Sequence, residues 1–313
     1  MKKILPLWLW FPFLLYTAES LLQYHWEAAL VVFAAMAIVP RGLFLLGYDP
    51  AYVYAFTVVG LAWGYSEWPN HDSAVWWALP YGLGALWLTV WEFVNMLVYK
   101  KYDTLTWMRI VALGYWATGA LGVVFFLADL HPLGFDSQMI GLTSAHFHVA
   151  GFVPAVMVYC LYEDNPRRAG RRLGYAVAAG MPAVAAGITL THLGFSPVFE
   201  WVAATGFVGL IFWVVWRQVK LALQQELYTR QREFWIRGSA CVVVGAAMGG
   251  VYALRFYWPF DWFTIPNMRF WHGTLNTIGF GWLVLRGWLA YADRERMKSW
   301  DGSLPGNKPL KKM

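Results

Sequence analysis

The chain has 313 residues, a formal net charge of +6 and an apolar composition, with 59% hydrophobic and only 13% charged residues. Because a soluble domain carries about 25% charged residues, this composition excludes an ordinary soluble enzyme and indicates a membrane protein. The positive charge is concentrated in short loops, where it suits anionic lipid headgroups, so we expect no nucleic acid partner.

Apolar runs recur along the whole chain, and most have about the 20 residues that a helix needs to cross a bilayer. Residues 1–25 contain two lysines and a short apolar stretch with prolines, and we interpret them as a short span or a signal-anchor-like segment. Nine further runs follow at about residues 28–46, 51–66, 75–98, 105–128, 138–162, 173–193, 198–220, 235–256 and 268–291. We predict an all-α polytopic transmembrane helix bundle of about nine spans, within a range of about eight to ten.

The basic residues predict the orientation, because lysine and arginine accumulate in cytoplasmic loops. They fall in alternate loops, at residues 100–101, 167–172, 217–237 and 294–312. The intervening loops are acidic or uncharged. We therefore predict a multi-pass protein of the cell membrane, with a transmembrane helical domain over residues 26–292 and a basic cytoplasmic tail over residues 293–313.

All seven histidines fall on the outer side of the membrane in this topology. They are His25, His71 and His131 in outer loops, His192 at the end of a span, and His146, His148 and His272 within the outer parts of two spans. An ionisable residue inside a span is costly and points to a functional site. The spans at 138–162 and 268–291 therefore carry the candidate site.

The first motif is LTSAHFHVAGF, at residues 142–152. On a regular helix, residues two positions apart are about 200° apart around the axis, so His146 and His148 cannot both face one metal ion. Either the helix is distorted here, or one histidine faces the site while the other packs against another helix. Each ring has a hydroxyl nearby on its own face, from Thr143 for His146 and from Ser144 for His148.

The second motif is RFWHGTLNTIGF, at residues 269–280. His272 and Asn276 are four residues apart, so the imidazole and the carboxamide point from the same face of the helix. His272 is a candidate ligand or acid–base group, and Asn276 is its candidate hydrogen-bond partner or a contact for substrate. Arg269 lies near the outer interface and could bind an anionic headgroup.

These motifs resemble the two signature segments of the YndJ-like family of integral membrane proteins. The resemblance rests on LTSAHFH with the following AGF, and on HGTLN with the following GF. It extends from about the span at 105–128 to the last span. It implies a multi-helix membrane protein in which the two motifs belong together, and it implies no particular activity.

The first functional interpretation is a membrane enzyme that acts on a lipophilic substrate with the help of a transition metal (Fe, Cu or Zn) or one haem, because neutral imidazole binds such metals. Its catalytic candidates are His148, His272 and Asn276, its metal ligands are His146, His148 and His272, and its cofactor-binding candidates are His146 and His192. Asp129, Asp136 and Glu200 are the carboxylates close enough to the outer boundary to join them.

Two other interpretations compete with the enzyme. A transporter or proton-coupled carrier would use the same titratable His/Asn site, with Glu92 and Asn95 as its inner gate. A structural cluster would only hold helices together through hydrogen bonds. We favour the enzyme narrowly over the carrier, and we expect the lipid bilayer and a lipophilic small molecule as partners.

Overall fold

The computed structural model describes residues 26–49, 73–224 and 229–300, and the chain is helical through most of them. The predicted N-terminal segment, the predicted span at 51–66, His25, His71 and the end of the tail beyond residue 300 lie outside the described residues. No β-strand occurs within the described part of the chain.

Eight long helical segments make up the described structure, and we number them along the chain. They are α1 (Trp26–Leu45), α2 (Ala74–Val98), α3 (Thr104–Leu127), α4 (Ser137–Asp164), α5 (Arg168–His192), α6 (Val198–Gln224), α7 (Thr229–Ala253) and α8 (residues 265–300). One 3₁₀ turn, Pro132–Gly134, precedes α4.

Seven of these segments, α1 to α7, are long and apolar enough to cross a membrane by length and composition. They coincide with seven of the nine predicted runs. The eighth segment, α8, is helical over the predicted run at 268–291, but it is less apolar because polar residues such as His272 and Asn276 interrupt it. Over the described residues the structure thus confirms an all-helical architecture in which several helices are long and apolar enough to span a membrane, and the predicted number of about nine spans is not confirmed.

An aspartate caps the N-terminus of two of the helices. Asp103 accepts hydrogen bonds from the backbone N–H groups of Leu105 and Thr106, both at 3.0 Å, and begins α3. Asp136 accepts a bond of 2.7 Å from the N–H of Met139 and begins α4. Each carboxylate satisfies donors that a helix end would otherwise leave without partners.

The central helix of the bundle is α4, which contacts α1, α3, α5 and α8. Around it, α2 packs on α3, α5 on α6, α6 on α7, and α7 on α8. Most residues of α1, α3 and α4 are buried, whereas fewer than a third of those in α2, α5, α6 and α7 are. The exposed side chains of α2 are large and apolar, such as Trp76 and Trp87, as is expected of a surface that faces lipid.

Four π-helical turns interrupt the helices of the described structure. They are Ala34–Ile38 in α1, Phe147–Gly151 in α4, and Met268–His272 and Leu275–Trp282 in α8. The turns of α1, α4 and α8 contact one another. Because π turns are rare and occur frequently at functional sites, their concentration around the two histidine motifs supports the location of the candidate site.

One end of the bundle is where α3, α5 and α7 finish and where α4, α6 and α8 begin. We call it the outer end, after the predicted orientation. Trp26, at the start of α1, donates a hydrogen bond of 3.0 Å from Nε1 to Oγ1 of Thr274 in α8. The rings of Phe135 and His192 lie 4.3 Å apart, between the segment before α4 and the end of α5. The first contact holds α1 against α8, and the second holds the segment before α4 against the end of α5.

Candidate functional site

A cavity of about 250 Å³ lies between α1, α4, α5, α6, α7 and α8. Most of its wall is apolar, and Val149, Phe207 and Ala246 are typical lining residues. The polar side chains that line it are Glu27, Thr143, His146, Glu200, Tyr252, Arg255, Arg269, His272, Asn276 and Thr277. Within the described residues, neither α2 nor α3 contributes to the wall. The cavity is therefore an apolar chamber with a small set of polar groups.

His146 of α4 and His272 of α8 face each other in this cavity. Their ring centroids are 5.8 Å apart and the ring planes are inclined by 37°. Nδ1 of His146 lies 2.7 Å from the carbonyl oxygen of Leu142, and Nδ1 of His272 lies 2.7 Å from that of Gly245. Because a carbonyl oxygen only accepts, each Nδ1 carries the proton and each neutral ring has its lone pair on Nε2.

The two Nε2 atoms differ in their partners. Asn276 donates from Nδ2 to Nε2 of His272 at 3.1 Å. No described residue donates to Nε2 of His146, and that side chain is exposed to the cavity. His146 therefore presents a hydrogen-bond acceptor, or a metal-binding nitrogen, to any molecule that enters the cavity.

Glycines of α7 make room for the polar residues of α8. A Cβ atom on Gly245 would lie 2.3 Å from Oδ1 of Asn276, and one on Gly249 would lie 3.2 Å from Cε1 of His272. This spacing of small residues is typical of close helix contacts in membranes. Oδ1 of Asn276 is buried and has no hydrogen-bond partner among the described residues, an arrangement that costs about 1–3 kcal/mol.

His148 lies in a different environment, between α2, α3 and α4, and is fully buried. Its Nδ1 donates to the carbonyl oxygen of Ser144 at 2.8 Å, and its Nε2 accepts from the hydroxyl of Tyr81 at 2.8 Å. The Tyr81 hydroxyl in turn accepts from Nε1 of Trp116 at 2.9 Å. Both ring nitrogens of His148 are thus occupied by contacts that join three helices.

The structure therefore separates the two histidines of the first motif. A π turn begins at Phe147, so the helix is distorted, yet the two rings still face different partners. His146 shares the cavity with His272 and Asn276, whereas His148 is not among the residues that line it.

The other predicted polar residues lie at the outer end of the bundle, in loops or near helix ends. His192 packs against the ring of Phe135 and does not line the cavity. Nδ1 of His131 bonds to the carbonyl oxygen of Phe135 at 2.8 Å, and its Nε2 lies 3.1 Å from Asp129. With Asp136 engaged as a helix cap, only Glu200 among the three carboxylates considered from the sequence reaches the cavity wall.

Two ion pairs line the cavity, and the sequence predicts only one member of each, Arg269 and Glu200. Nη1 of Arg269 lies 3.0 Å from Glu27, and Nη1 of Arg255 lies 2.7 Å from Glu200. Glu27 and Arg255 stand at the ends of apolar runs, and a charge in that position is the sequence feature that identifies them.

Two histidine side chains that could bind a metal ion, His146 and His272, line the cavity. In the part of the chain that the structure describes, no three His, Cys, Asp or Glu side chains are grouped so that they could hold a metal ion. The metal-ligand and cofactor-binding roles of His146, His148, His192 and His272 remain predictions from the sequence.

Comparison with known proteins identifies a family and no annotated relative. The family model described as YndJ-like protein matches residues 29–280, which is most of the chain and includes both motifs. The match extends the resemblance noted in the sequence to α1 and α2. No curated protein and no solved structure matches the chain significantly.

Proposed function

The chain belongs to the YndJ-like family, and we propose that it is a membrane enzyme that binds a lipophilic substrate in the cavity, with the substrate's polar group against His146 and His272. The observation that carries this proposal is the Nε2 of His146, which has no hydrogen-bond partner among the described residues, in a ring that lines a mostly apolar chamber and faces that of His272. Apolar pockets with a few placed polar groups are typical of small-molecule sites.

His146 is the group that we assign to proton transfer. Its Nε2 can accept a proton from a substrate hydroxyl or from water, as a general base does. Its Nδ1–H would keep its bond to the carbonyl of Leu142, which would stabilise the resulting imidazolium. His272 and Asn276 hold each other in place, so we assign them to positioning the substrate, and we assign His148 to helix packing.

A metal-supported version of this enzyme uses the same two rings. Nε2 of His146 and, once it is released by Asn276, Nε2 of His272 could bind one Fe, Cu or Zn ion, with the remaining positions taken by substrate or water. One haem is the other predicted cofactor. Metal analysis and a visible spectrum of the detergent-purified protein test this version: stoichiometric metal or a Soret band that disappears in His146→Gln is expected, and a metal-free, colourless wild type would overturn it.

Substrate binding itself is tested by native mass spectrometry of the protein extracted from membranes. We expect a co-purified lipophilic compound in the wild type and none in Ala246→Trp, because the indole fills the cavity. His146→Gln should lower the fraction of protein that retains the compound by about tenfold. The reason is that the loss of one hydrogen bond of about 1.4 kcal/mol weakens binding by that factor. His192→Gln is the control and should retain the compound. Equal retention by Ala246→Trp would contradict binding in the cavity.

A proton-coupled carrier is the second candidate, and the buried charges favour it. Besides the two ion pairs of the cavity, Glu92 of α2 is buried and pairs with Arg109 of α3 at 2.9 Å, and Arg109 also donates to the hydroxyl of Tyr159 at 3.3 Å. A transport pathway through the bundle would pass these buried ion pairs and would have to break them one after another. With the co-purified compound in proteoliposomes, accumulation without chemical change would favour the carrier, and conversion to product would favour the enzyme.

A purified protein that retains no compound would favour the third interpretation, a structural cluster.

The site would open toward the outside of the cell in the predicted orientation. That orientation places the multi-pass protein in the cell membrane with its C-terminus in the cytoplasm. A fluorescent protein that folds only in the cytoplasm is expected to fluoresce when it is fused to the C-terminus. Activity of a C-terminal reporter enzyme that works only after export would show the reverse orientation.

A further inference from the structure

The two ion pairs of the cavity are asymmetric in their exposure. The side chain of Arg269 is 19% accessible and that of its partner Glu27 only 3%. Arg255 is 25% accessible and its partner Glu200 only 7%. In both pairs the arginine side chain is thus more accessible than the carboxylate side chain to which it is bound.

Each guanidinium group is held in place and retains N–H donors that no described residue accepts from. Arg255 donates from Nη1 to Glu200 at 2.7 Å and to the carbonyl oxygen of Tyr252 at 3.3 Å. Its guanidinium carbon lies 4.3 Å from the ring centroid of Tyr252 and 4.1 Å from that of Phe256. Arg269 donates from Nη1 to Glu27 at 3.0 Å. Because a guanidinium group has five N–H donors, both side chains can bind a further acceptor.

Both arginines lie outward of the histidine pair along their segments. Arg269 is one turn before His272 in α8. Arg255 follows the end of α7, whose Gly249 lies beside His272. A molecule in the cavity would therefore meet the two guanidinium groups toward the outer end and the histidines deeper inside.

We propose that Arg255 and Arg269 together bind the phosphate of a phosphorylated lipophilic molecule, whose apolar part fills the cavity and whose reacting polar group lies against His146 and His272. This inference rests on the proposed function, because it names the substrate class of the same site. Guanidinium groups bind phosphate oxygens through paired, charge-assisted hydrogen bonds. A free phosphate ion shares this chemistry, but it would leave the mostly apolar wall without a partner.

The test measures dissociation constants of the full-length protein in detergent by calorimetry. The probes are dioleoyl phosphatidic acid, dioleoylglycerol, which has the same acyl chains and no phosphate, and inorganic phosphate. The variants are the doubles Arg255→Gln/Glu200→Gln and Arg269→Gln/Glu27→Gln, because removing both charges avoids leaving a buried carboxylate unpaired.

The matched control is Arg109→Gln/Glu92→Gln. The side chains of Arg109 and Glu92 are 18% and 9% accessible, close to the values of the two cavity pairs, and their N···O distance is 2.9 Å. Neither residue lines the cavity. It therefore reports what the loss of a buried ion pair does to the bundle alone. A circular dichroism melt of each variant identifies any protein that does not fold.

We expect the wild type to bind phosphatidic acid at least about tenfold more tightly than dioleoylglycerol. Each cavity double variant should bind phosphatidic acid about tenfold more weakly than the wild type does and should keep its affinity for dioleoylglycerol. The control variant should match the wild type for both lipids. Equal affinity of the wild type for both lipids, or cavity doubles that bind phosphatidic acid normally, would overturn the phosphate inference and leave lipophile binding intact. Binding of inorganic phosphate without either lipid would assign the site to a free anion. Binding of no probe at all would overturn the lipophilic substrate as well.

Discussion

His146 and His148 are separated by one residue but make entirely different contacts. His146 has one ring nitrogen bonded within its own helix and the other open to the cavity. His148 has both nitrogens bonded, to Ser144 in its own helix and to Tyr81 in α2. The first arrangement leaves a nitrogen for chemistry, and the second joins helices.

Substitution by alanine should separate these two roles. His148→Ala removes the acceptor for the Tyr81 hydroxyl proton and the imidazole donor to the Ser144 carbonyl, and it opens a void, so we expect the free energy of unfolding to fall by about 2–4 kcal/mol. His146→Ala removes a cavity-facing side chain and should change it by less than about 1 kcal/mol. Denaturant unfolding in detergent, followed by tryptophan fluorescence, measures both. A larger loss from His146→Ala would contradict the assignment.

The sequence predicts contacts between near neighbours in the chain better than contacts between distant residues. The spacing of four places His272 and Asn276 on one face of a helix, and their side chains are 3.1 Å apart. The partner of His148 is Tyr81, 67 positions away, and that of Arg269 is Glu27, 242 positions away. Such partners depend on which helices are neighbours in the bundle, and hydropathy does not contain that information.

At the scale of the helices, glycine determines how closely α3 approaches α4. A Cβ atom on Gly119 would lie 2.5 Å from Nδ1 of His148 and 3.1 Å from the carbonyl oxygen of Ser144. The His148 ring cannot move away without breaking its two hydrogen bonds. Gly114, in the same helix, has no atom within 4 Å of the corresponding position.

These two glycines form a matched pair for mutation. Gly119→Ala should lower the free energy of unfolding by about 1–3 kcal/mol through overpacking. Gly114→Ala should raise it by up to about 1 kcal/mol, because alanine favours the helix. The same detergent unfolding measurement applies. If the two substitutions had equal effects, the close contact between α3 and α4 would not be as described.

Helix bounds were predictable, whereas the distortions inside the helices were not. The runs predicted at 105–128 and 138–162 correspond to Thr104–Leu127 and Ser137–Asp164, because apolar length is fixed by the bilayer. The π turn at Phe147–Gly151 has no distinctive residue pattern. It contacts α3 and the π turns of α1 and α8, and these neighbours are distant in the chain, so the sequence could only pose the alternatives for His146 and His148.

At the scale of the whole molecule, the described bundle has two parts with different properties. The side formed by α2 and α3 holds polar groups that bind one another away from the cavity, such as Glu92 with Arg109 and Tyr81 with His148. The side formed by α1 and α4 to α8 holds the cavity and the polar groups that line it. Composition was sufficient to identify a membrane protein, but the cavity depends on helix order and could not be located from sequence.

The central claim is that a lipophilic molecule occupies this cavity beside His146 and His272. The most direct measurement is photo-crosslinking in native membranes with a diazirine-bearing fatty acid that cells incorporate into their lipids, followed by peptide mapping. We predict labelled residues at the cavity wall, such as Val149 and Ala246, and loss of that labelling in Ala246→Trp. Labelling confined to the exposed face of α2, around Leu83 and Trp87, would contradict the claim.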